Sequence, residues 1–329
     1  MTVLVTGATG LIGANLVRAL LKTGEEVRAL VRNNDRSNSV LKDQPVEQAF
    51  GEINHPNALR RALKECDFVY HTEELNPYGY CPADAFFKTN VEGTRSLFEA
   101  CLERGVRRIV YTSSGLTVGS GSRWKHLRES APFDLEHLKD PYITSKREAE
   151  ALALEFAAKG LEIVILNPGI VLGAWSLQPS IGYRLLRISG SMMRFCPGGG
   201  CLFSDAQDVA KANLLAMEKG RSGERYIIGS ETMRFVVLYH MLASVLGFAP
   251  TVFLVPRFLA LLVASLSDSV AKSLRRPFSA LPSVSVVKRT YTDFYLSAEK
   301  ATLELGISWT PFQQTLKKTV VWLRANGML

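Results

Sequence analysis

Three side chains in the first half of the chain have the types and spacing to move a proton at an oxygen atom. Tyr142 and Lys146 stand four apart in a stretch patterned as a helix, so they share one face. An ammonium beside a phenol favours the phenolate and draws its pKa down from about 10. The tyrosine would then exchange a proton with a hydroxyl or carbonyl near neutral pH. Ser113 and Ser114 follow the apolar run Arg108 to Thr112, and a serine hydroxyl there would hold the same oxygen. A YxxxK spacing alone is common and otherwise describes a surface tyrosine and a solvated lysine. The upstream serine pair and a glycine loop near the N-terminus make the combination specific.

That loop is Thr6-Gly7-Ala8-Thr9-Gly10-Leu11-Ile12-Gly13, a GxxGxxG spacing after the short apolar run Val3-Leu4-Val5. A helical pattern with Leu16, Leu20 and Leu21 follows and stops at Gly24. Glycines between a strand and a helix let backbone N–H groups approach a pyrophosphate, whose charge the helix N-terminus favours. An acid able to bind a ribose 2′-hydroxyl is missing after the second strand, where Val31-Arg32-Asn33 stands instead. An arginine there suits a 2′-phosphate, which favours NADP(H) and leaves NAD(H) open. The alternative is a solvated arginine at a strand end.

Positioning these groups requires a parallel sheet. The strands read as Thr2–Thr6, Val27–Val31, Val46–Phe50, Asp67–His71, Arg108–Thr112 and Glu162–Leu166. Between them lie helical patterns near Pro56–Glu65, Ala83–Arg104 (with Val91, Leu97, Phe98, Cys101 and Leu102 inward) and Pro141–Ala158. Close alternation of this kind predicts an α/β fold, a doubly wound parallel sheet of the Rossmann type, with Ser114 at its carboxyl edge. After Asn167-Pro168-Gly169 the pattern becomes irregular. Ala206–Met217 then reads as a helix and Arg225–Ile228 as a strand, and helices dominate from Phe235 onward. The expected division is a dinucleotide-binding part at 1–170 and 203–230, and a smaller, mostly helical substrate subdomain at 171–202 and 231–329.

The 329 residues are 47% hydrophobic and 21% charged, which excludes a disordered or collagen-like chain. No run approaches the roughly 20 unbroken apolar residues of a membrane span, and Val245–Leu266 is interrupted by Pro250, Pro256 and Arg257. Thr2 to Thr6 already reads as a strand, so no signal peptide is expected. Five cysteines without a CxxC pair argue against a disulfide framework or a zinc site, and the expected compartment is the cytoplasm. The net charge of +8 is scattered and forms no basic block, so nucleic acid is not the expected partner. His71, His126 and His240 have no metal-ligand spacing.

On these residues the chain resembles the extended short-chain dehydrogenases/reductases of the NAD-dependent epimerase/dehydratase superfamily. It is most similar to the branch of dihydroflavonol reductases, 3β-hydroxysteroid dehydrogenases and hopanoid-associated epimerase-like proteins. The likeness runs through TGATGLIG at 6–13, CDFVYH at 66–71, NVEGT at 90–94, YTSS at 111–114, YITSK at 142–146, LNPGIVLG at 166–173, QDVAKA at 207–212 and GERYIIG at 223–229. The resemblance implies a catalytic Ser114, Tyr142 and Lys146, with Ser114 preferred to Ser113. It implies cofactor contacts from Gly7, Gly10, Leu11, Ile12, Gly13, Arg32, Glu52, Ile53, Tyr142, Lys146 and Pro168, and an ordering role for Asn90. Glu52-Ile53 stands where the family has Asp-Leu. One departure is large: the small residues that usually follow VYH are replaced by Thr72-Glu73-Glu74, two carboxylates that would repel a pyrophosphate unless they point away or bond ribose hydroxyls.

On the substrate side, Gly200-Cys201-Leu202-Phe203-Ser204-Asp205 has no cation where sugar-nucleotide epimerases usually bring an arginine to the UDP phosphates, although Arg194 lies upstream. Met192, Met193, Phe195, Trp175 and Leu177 predict an apolar pocket. Phe258, Leu259, Leu261, Leu262, Leu266 and Val270 lie in a helical pattern followed by Lys272, Arg275 and Arg276. Residues 257–276 therefore read as a helix packed on its own domain, or as a peripheral membrane contact covering a hydrophobic substrate. The leading expectation is an oxidoreductase moving hydride between NADP(H) and a carbonyl or secondary alcohol of a hydrophobic small molecule. The alternatives are a sugar-nucleotide epimerase or dehydratase with tightly held NAD, and a non-catalytic dinucleotide sensor. A homodimer is left open.

Overall fold

Alternate residues of each central strand feed two different cores. Val3 and Val5 of β1 (Thr2–Thr6) face one side with Val110, Val164 and Leu166, whereas Leu4 faces the other with Ile109, Tyr111, Ile163 and Ile165. That period of two requires a sheet covered on both faces. The computed structural model describes residues 2–33, 36–76, 80–176, 193–247, 251–274 and 281–329. In it β1, β2 (Glu26–Val31), β3 (Glu47–Phe50), β4 (Cys66–His71), β5 (Arg108–Thr112), β6 (Glu162–Pro168) and β10 (Arg225–Ile228) form one parallel sheet in the order β10-β6-β5-β4-β1-β2-β3. The order reverses between β1 and β4, and ligands of open α/β sheets bind at the carboxyl end of such a reversal.

Helices α1 (Leu11–Lys22) and α6 (Ala206–Lys219) close one face with Leu16, Val17, Leu20, Val209 and Ala212. The other face is closed by α2 (Pro56–Ala62), α4 (Thr94–Arg104) and α5 (Pro141–Ala158), through Leu59, Leu97, Phe98, Ala149 and Phe156. The stretch expected as one helix from Ala83 is instead α3 (Ala83–Phe86), a wider π-helical segment Phe87–Gly93, and α4. Leu102, expected inward, is 45% exposed, because it falls on the solvent side of α4 while its neighbour Cys101 takes the buried position.

Beyond the carboxyl edge lie β7 (Ile170–Leu172), β8 (Met193–Cys196), β9 (Gly200–Asp205), β11 (Glu231–Arg234) and β12 (Thr251–Leu254), with β7, β9 and β11 in one small sheet and β8 and β12 in another. With α7 (Phe235–Leu246) and α10 (Phe312–Ala325) they surround a third core containing Phe203, Phe235, Tyr239, Phe294 and Phe312, while α8 (Arg257–Ser273) and α9 (Val284–Thr290) pack on each other. Ala301, Leu305 and Ile307 return to the core of the large sheet. Leu177, Pro179, Met192, Arg275 and Arg276 lie outside the described residues, as do the side chains of Met193, Arg194 and Phe195. Among the described residues no helix is long and apolar enough to cross a membrane.

Candidate active site

One cleft of about 760 Å³ opens at the reversal of strand order. Its floor at one end is the glycine loop. Gly7 takes φ +69, and a Cβ there would strike the Glu73 backbone at 2.7 Å, so only glycine lets the two loops close together. A Cβ on Gly13 would lie 2.2 Å from the Gly7 carbonyl oxygen. Gly10 caps α1 without any side-chain hydrogen bond and lines the cleft. The partial positive charge of that helix end therefore faces the cleft, a ready site for an anion.

Leu11, Ile12, Arg32, Glu52, Ile53 and Pro168 also line the cleft. Beside them the Asn54 side-chain oxygen is buried and has no hydrogen-bond partner among the described residues, an acceptor suited to an exocyclic amine. Glycine loop, bare helix end and orphaned acceptor together fit a dinucleotide. Glu73 is largely buried at this end, and its carboxyl is pushed up to about 7. Burial is the main cause and Glu52 adds to it, while Arg32 opposes. Near neutral pH this group is thus partly protonated, which lessens its repulsion of a phosphate.

At the other end α5 delivers the tyrosine and lysine. Asp140 caps the helix by accepting from the Tyr142 and Ile143 amides at 2.9 and 3.4 Å, and Pro141 takes the first turn. Tyr142 and Lys146 are both buried on one face. The Lys146 ammonium donates to the Thr112 carbonyl at 3.2 Å and lies 5.0 Å from the centre of the Tyr111 ring. Burial pushes this ammonium down, but Tyr111 and Glu74 outweigh it and hold it above its ordinary range. Ser114 lines the cleft beside Tyr142, and its hydroxyl accepts from the Leu116 amide at 3.3 Å. Ser113, also on the cleft lining, spends its hydroxyl on Glu150, donating at 2.7 Å.

The expected drop in the tyrosine pKa is not found. Burial first, and the Glu74 carboxylate second, hold the Tyr142 phenol well above its ordinary value, against Ser114 and Arg289. The Glu74 part of this follows from its contacts, since one Glu74 oxygen accepts from Tyr142 at 3.0 Å and pairs with Lys146 at 3.2 Å. Asn90 pins this loop, accepting from the Leu75 amide at 2.8 Å and donating to Ser145 at 3.0 Å.

The substrate end is walled by Leu202, Phe235, Val286, Phe294 and Leu296, with Cys201 beside them. Trp175 is not part of it. Its ring packs 6.2 Å from Trp322 and under the Arg18 guanidinium at 4.0 Å. Sequence reasoning missed Arg289, a buried cation on the cleft wall that pairs with Asp140 at 3.1 Å and sits 4.9 Å from the Tyr142 ring. It also missed Asn54, and nothing in the spacing of either residue marks it. His71, donating or accepting at Thr6 (2.8 Å) and Thr94 (2.9 Å), is a buried neutral spacer, pushed down to about 3 by burial and then by Lys146.

A glycine loop and a buried tyrosine–lysine pair on one carboxyl-edge cleft define a dinucleotide-binding oxidoreductase of the Rossmann class. Residues 3–229 match the model of the NAD dependent epimerase/dehydratase family, and the chain belongs to that family. It is 33% identical over 330 residues to a Synechocystis protein carrying the provisional name dihydroflavonol 4-reductase, covering 98% of this chain and 94% of the relative. It is 32% identical over 336 residues to sterol demethylase protein B of Methylococcus capsulatus, covering 100% of both. The crystal structure of gox2253 superposes with a TM-score of 0.85 at 29% identity, covering 100% of this chain and 99% of that one.

Proposed function

We propose that the protein is a reductase or dehydrogenase that moves hydride between NADP(H) and a carbonyl or secondary alcohol of a hydrophobic small molecule. The observation that carries this reading is the placing of Ser114 and Tyr142 on the wall of one cleft, with buried Lys146 sharing Glu74 with Tyr142 and with Leu202, Phe235, Val286, Phe294 and Leu296 on the same wall. Bound nicotinamide would supply or accept the hydride. Ser114 and Tyr142 hold the substrate oxygen by hydrogen bonds, and Tyr142 gives it a proton during reduction. Lys146 compensates the negative charge left on the tyrosine oxygen. Arg32 at the cleft rim supports a 2′-phosphate, hence NADP(H). The relatives' names, dihydroflavonol 4-reductase and sterol demethylase protein B, support an apolar substrate. Such a molecule gains roughly 25 cal/mol for each Å² of apolar surface it buries against Leu202, Phe235 and Val286.

Arg289 favours a second reading, a sugar-nucleotide epimerase with tightly held NAD, because it is a cation at the substrate end. Its pairing with Asp140 weighs against a free phosphate site. Calorimetric titration with UDP and UDP-sugars, together with analysis of retained cofactor, separates the two. Exchangeable NADP(H) and no UDP binding is expected; micromolar UDP-sugar binding and retained NAD would overturn the reading.

The same reading extends to a lipid surface bearing anionic headgroups. Helix α8 turns Phe258, Leu262, Leu266 and Val270 outward and buries only Ala264, Ser267 and Ala271. Its one acid, Asp268, points inward and accepts from the Val284 amide at 3.1 Å, while Arg257 and Lys272 are exposed near its ends. A large apolar face flanked by cations suits an anionic interface. Helix α8 packs on α9, whose Val286 and Arg289 line the cleft, so a lipid-dissolved substrate would arrive beside the site. Binding to phosphatidylserine vesicles at low salt is expected, and indifference to them removes this extension.

A further inference from the structure

The carboxylates at 73–74 are the part of the cleft that the proposed chemistry does not use. Glu74 is held rather than loose. On one side Thr72 bonds the Thr6 carbonyl through its amide (3.2 Å) and its hydroxyl (2.8 Å), and on the other Asn90 fixes Leu75. Between these anchors one Glu74 oxygen sits 3.0 Å from the Tyr142 hydroxyl and 3.2 Å from the Lys146 ammonium. Its side chain keeps 30% exposure, so a rotation into solvent loses little packing.

We propose that Glu74 is a positioning residue of the proton-transfer site, tying the Tyr142 hydroxyl and the Lys146 charge to itself and leaving the pair idle until a dinucleotide enters the cleft and turns the carboxylate out. The inference rests on the reductase reading and deepens it. A carboxylate accepting from the phenol opposes its ionisation, and it takes the lysine charge that would otherwise favour the phenolate. The same carboxylate occupies the space beside Tyr142 and Lys146 in the cleft that the glycine loop opens, so a dinucleotide reaching that end and a seated Glu74 compete for it.

The other groups facing Tyr142 do not duplicate this role. Arg289 on α9 is spent on Asp140, Ser114 is neutral, and Tyr111 and neutral His71 lie by Lys146. Burial and Glu74 both push the phenol up, and of these only Glu74 can be removed by a substitution that leaves the core intact.

The test uses the full chain carrying 13C-labelled tyrosine, with Tyr142→Phe assigning the Tyr142 signal. In the cofactor-free protein, Glu74→Gln should move the Tyr142 titration about one pH unit or more lower. Glu74→Ala should do the same, and either variant should bind NADP+ roughly tenfold more tightly than the parent by fluorescence titration. Saturating NADP+ should remove the difference in titration between parent and variants. An unchanged Tyr142 titration in both variants would overturn the proposal. Because that readout needs no cofactor, it decides on Glu74 even if no dinucleotide binds to any form, a result that would instead defeat the reductase reading.

Discussion

Helices α5 and α8 both depart from the ordinary amphipathic pattern, in opposite directions. Helix α5 buries a lysine and a glutamate, Lys146 and Glu150. Helix α8 exposes its largest apolar side chains, with Phe258 at 74% and Leu266 at 62%. On α5 every buried charge finds its partner inside the chain. Glu150 accepts from Ser113, Thr117 and Asn167 at 2.7 to 2.8 Å and pairs with Arg225 at 2.9 Å. On α8 the inward side is made of small residues, and the outward side points at nothing within the described chain. Charges buried and matched inside the chain fit the proton-transfer site proposed for α5, and apolar side chains left exposed fit the lipid contact proposed for α8.

The largest expected effect is on the compensated helix. Tyr142→Phe should lower turnover roughly 10²–10⁴-fold while leaving NADP(H) affinity nearly unchanged, as measured by steady-state kinetics and fluorescence titration. Near-parental turnover would break the comparison, since α5 would then bury charge for stability alone. Next, Glu150→Ala takes away the carboxylate partner of Arg225 and the acceptor shared by Ser113, Thr117 and Asn167, and should cost about 3 kcal/mol in denaturant unfolding. A loss below about 0.5 kcal/mol would mean that these bonds are replaced by water.

Much of the α5 side was legible in the sequence because its signals are local. The glycine spacing, the YxxxK step and the serine pair each lie within one short segment, and the strand periodicity fixes which edge they share. Glu74 and Arg289 were not legible as neighbours of Tyr142, since they reach it from a loop 68 residues upstream and a helix on the far side of the cleft. The outward turn of α8 was equally hidden. Its 3.6-residue pattern shows an apolar stripe, yet the stripe alone does not say that Ala264 and Ala271 make the closer packing against α9. Trp175 looked like a pocket residue from its neighbours in sequence, but tertiary packing gives it to Trp322 and Arg18.

Smaller effects sharpen the comparison. Glu73→Gln should stabilise the protein by about 2 kcal/mol at pH 8 and by almost nothing at pH 5. The sign follows from the carboxyl being raised to about 7 when folded, so the folded state binds more protons between about pH 4.5 and 7 and parental stability falls as pH rises through that window. Equal stabilisation at both pH values would contradict the assignment. The combined replacement Phe258→Ser, Leu262→Ser and Leu266→Ser should change unfolding free energy least, within about 1 kcal/mol, because exposed sites rarely matter to stability. It should nevertheless abolish vesicle binding. A loss of several kcal/mol would show that α8 is covered within the protein after all.

The most direct test of the central claim follows the hydride itself. Purified protein is mixed with NADPH deuterated at the nicotinamide C4, on one face at a time, and a panel of hydrophobic ketones, and the alcohol product is read by mass spectrometry. The account predicts deuterium on the carbinol carbon from one of the two C4 faces only, and no transfer in Tyr142→Phe. Absence of deuterium transfer from NADPH to any ketone, together with interconversion of a UDP-sugar by protein-held NAD, would contradict it.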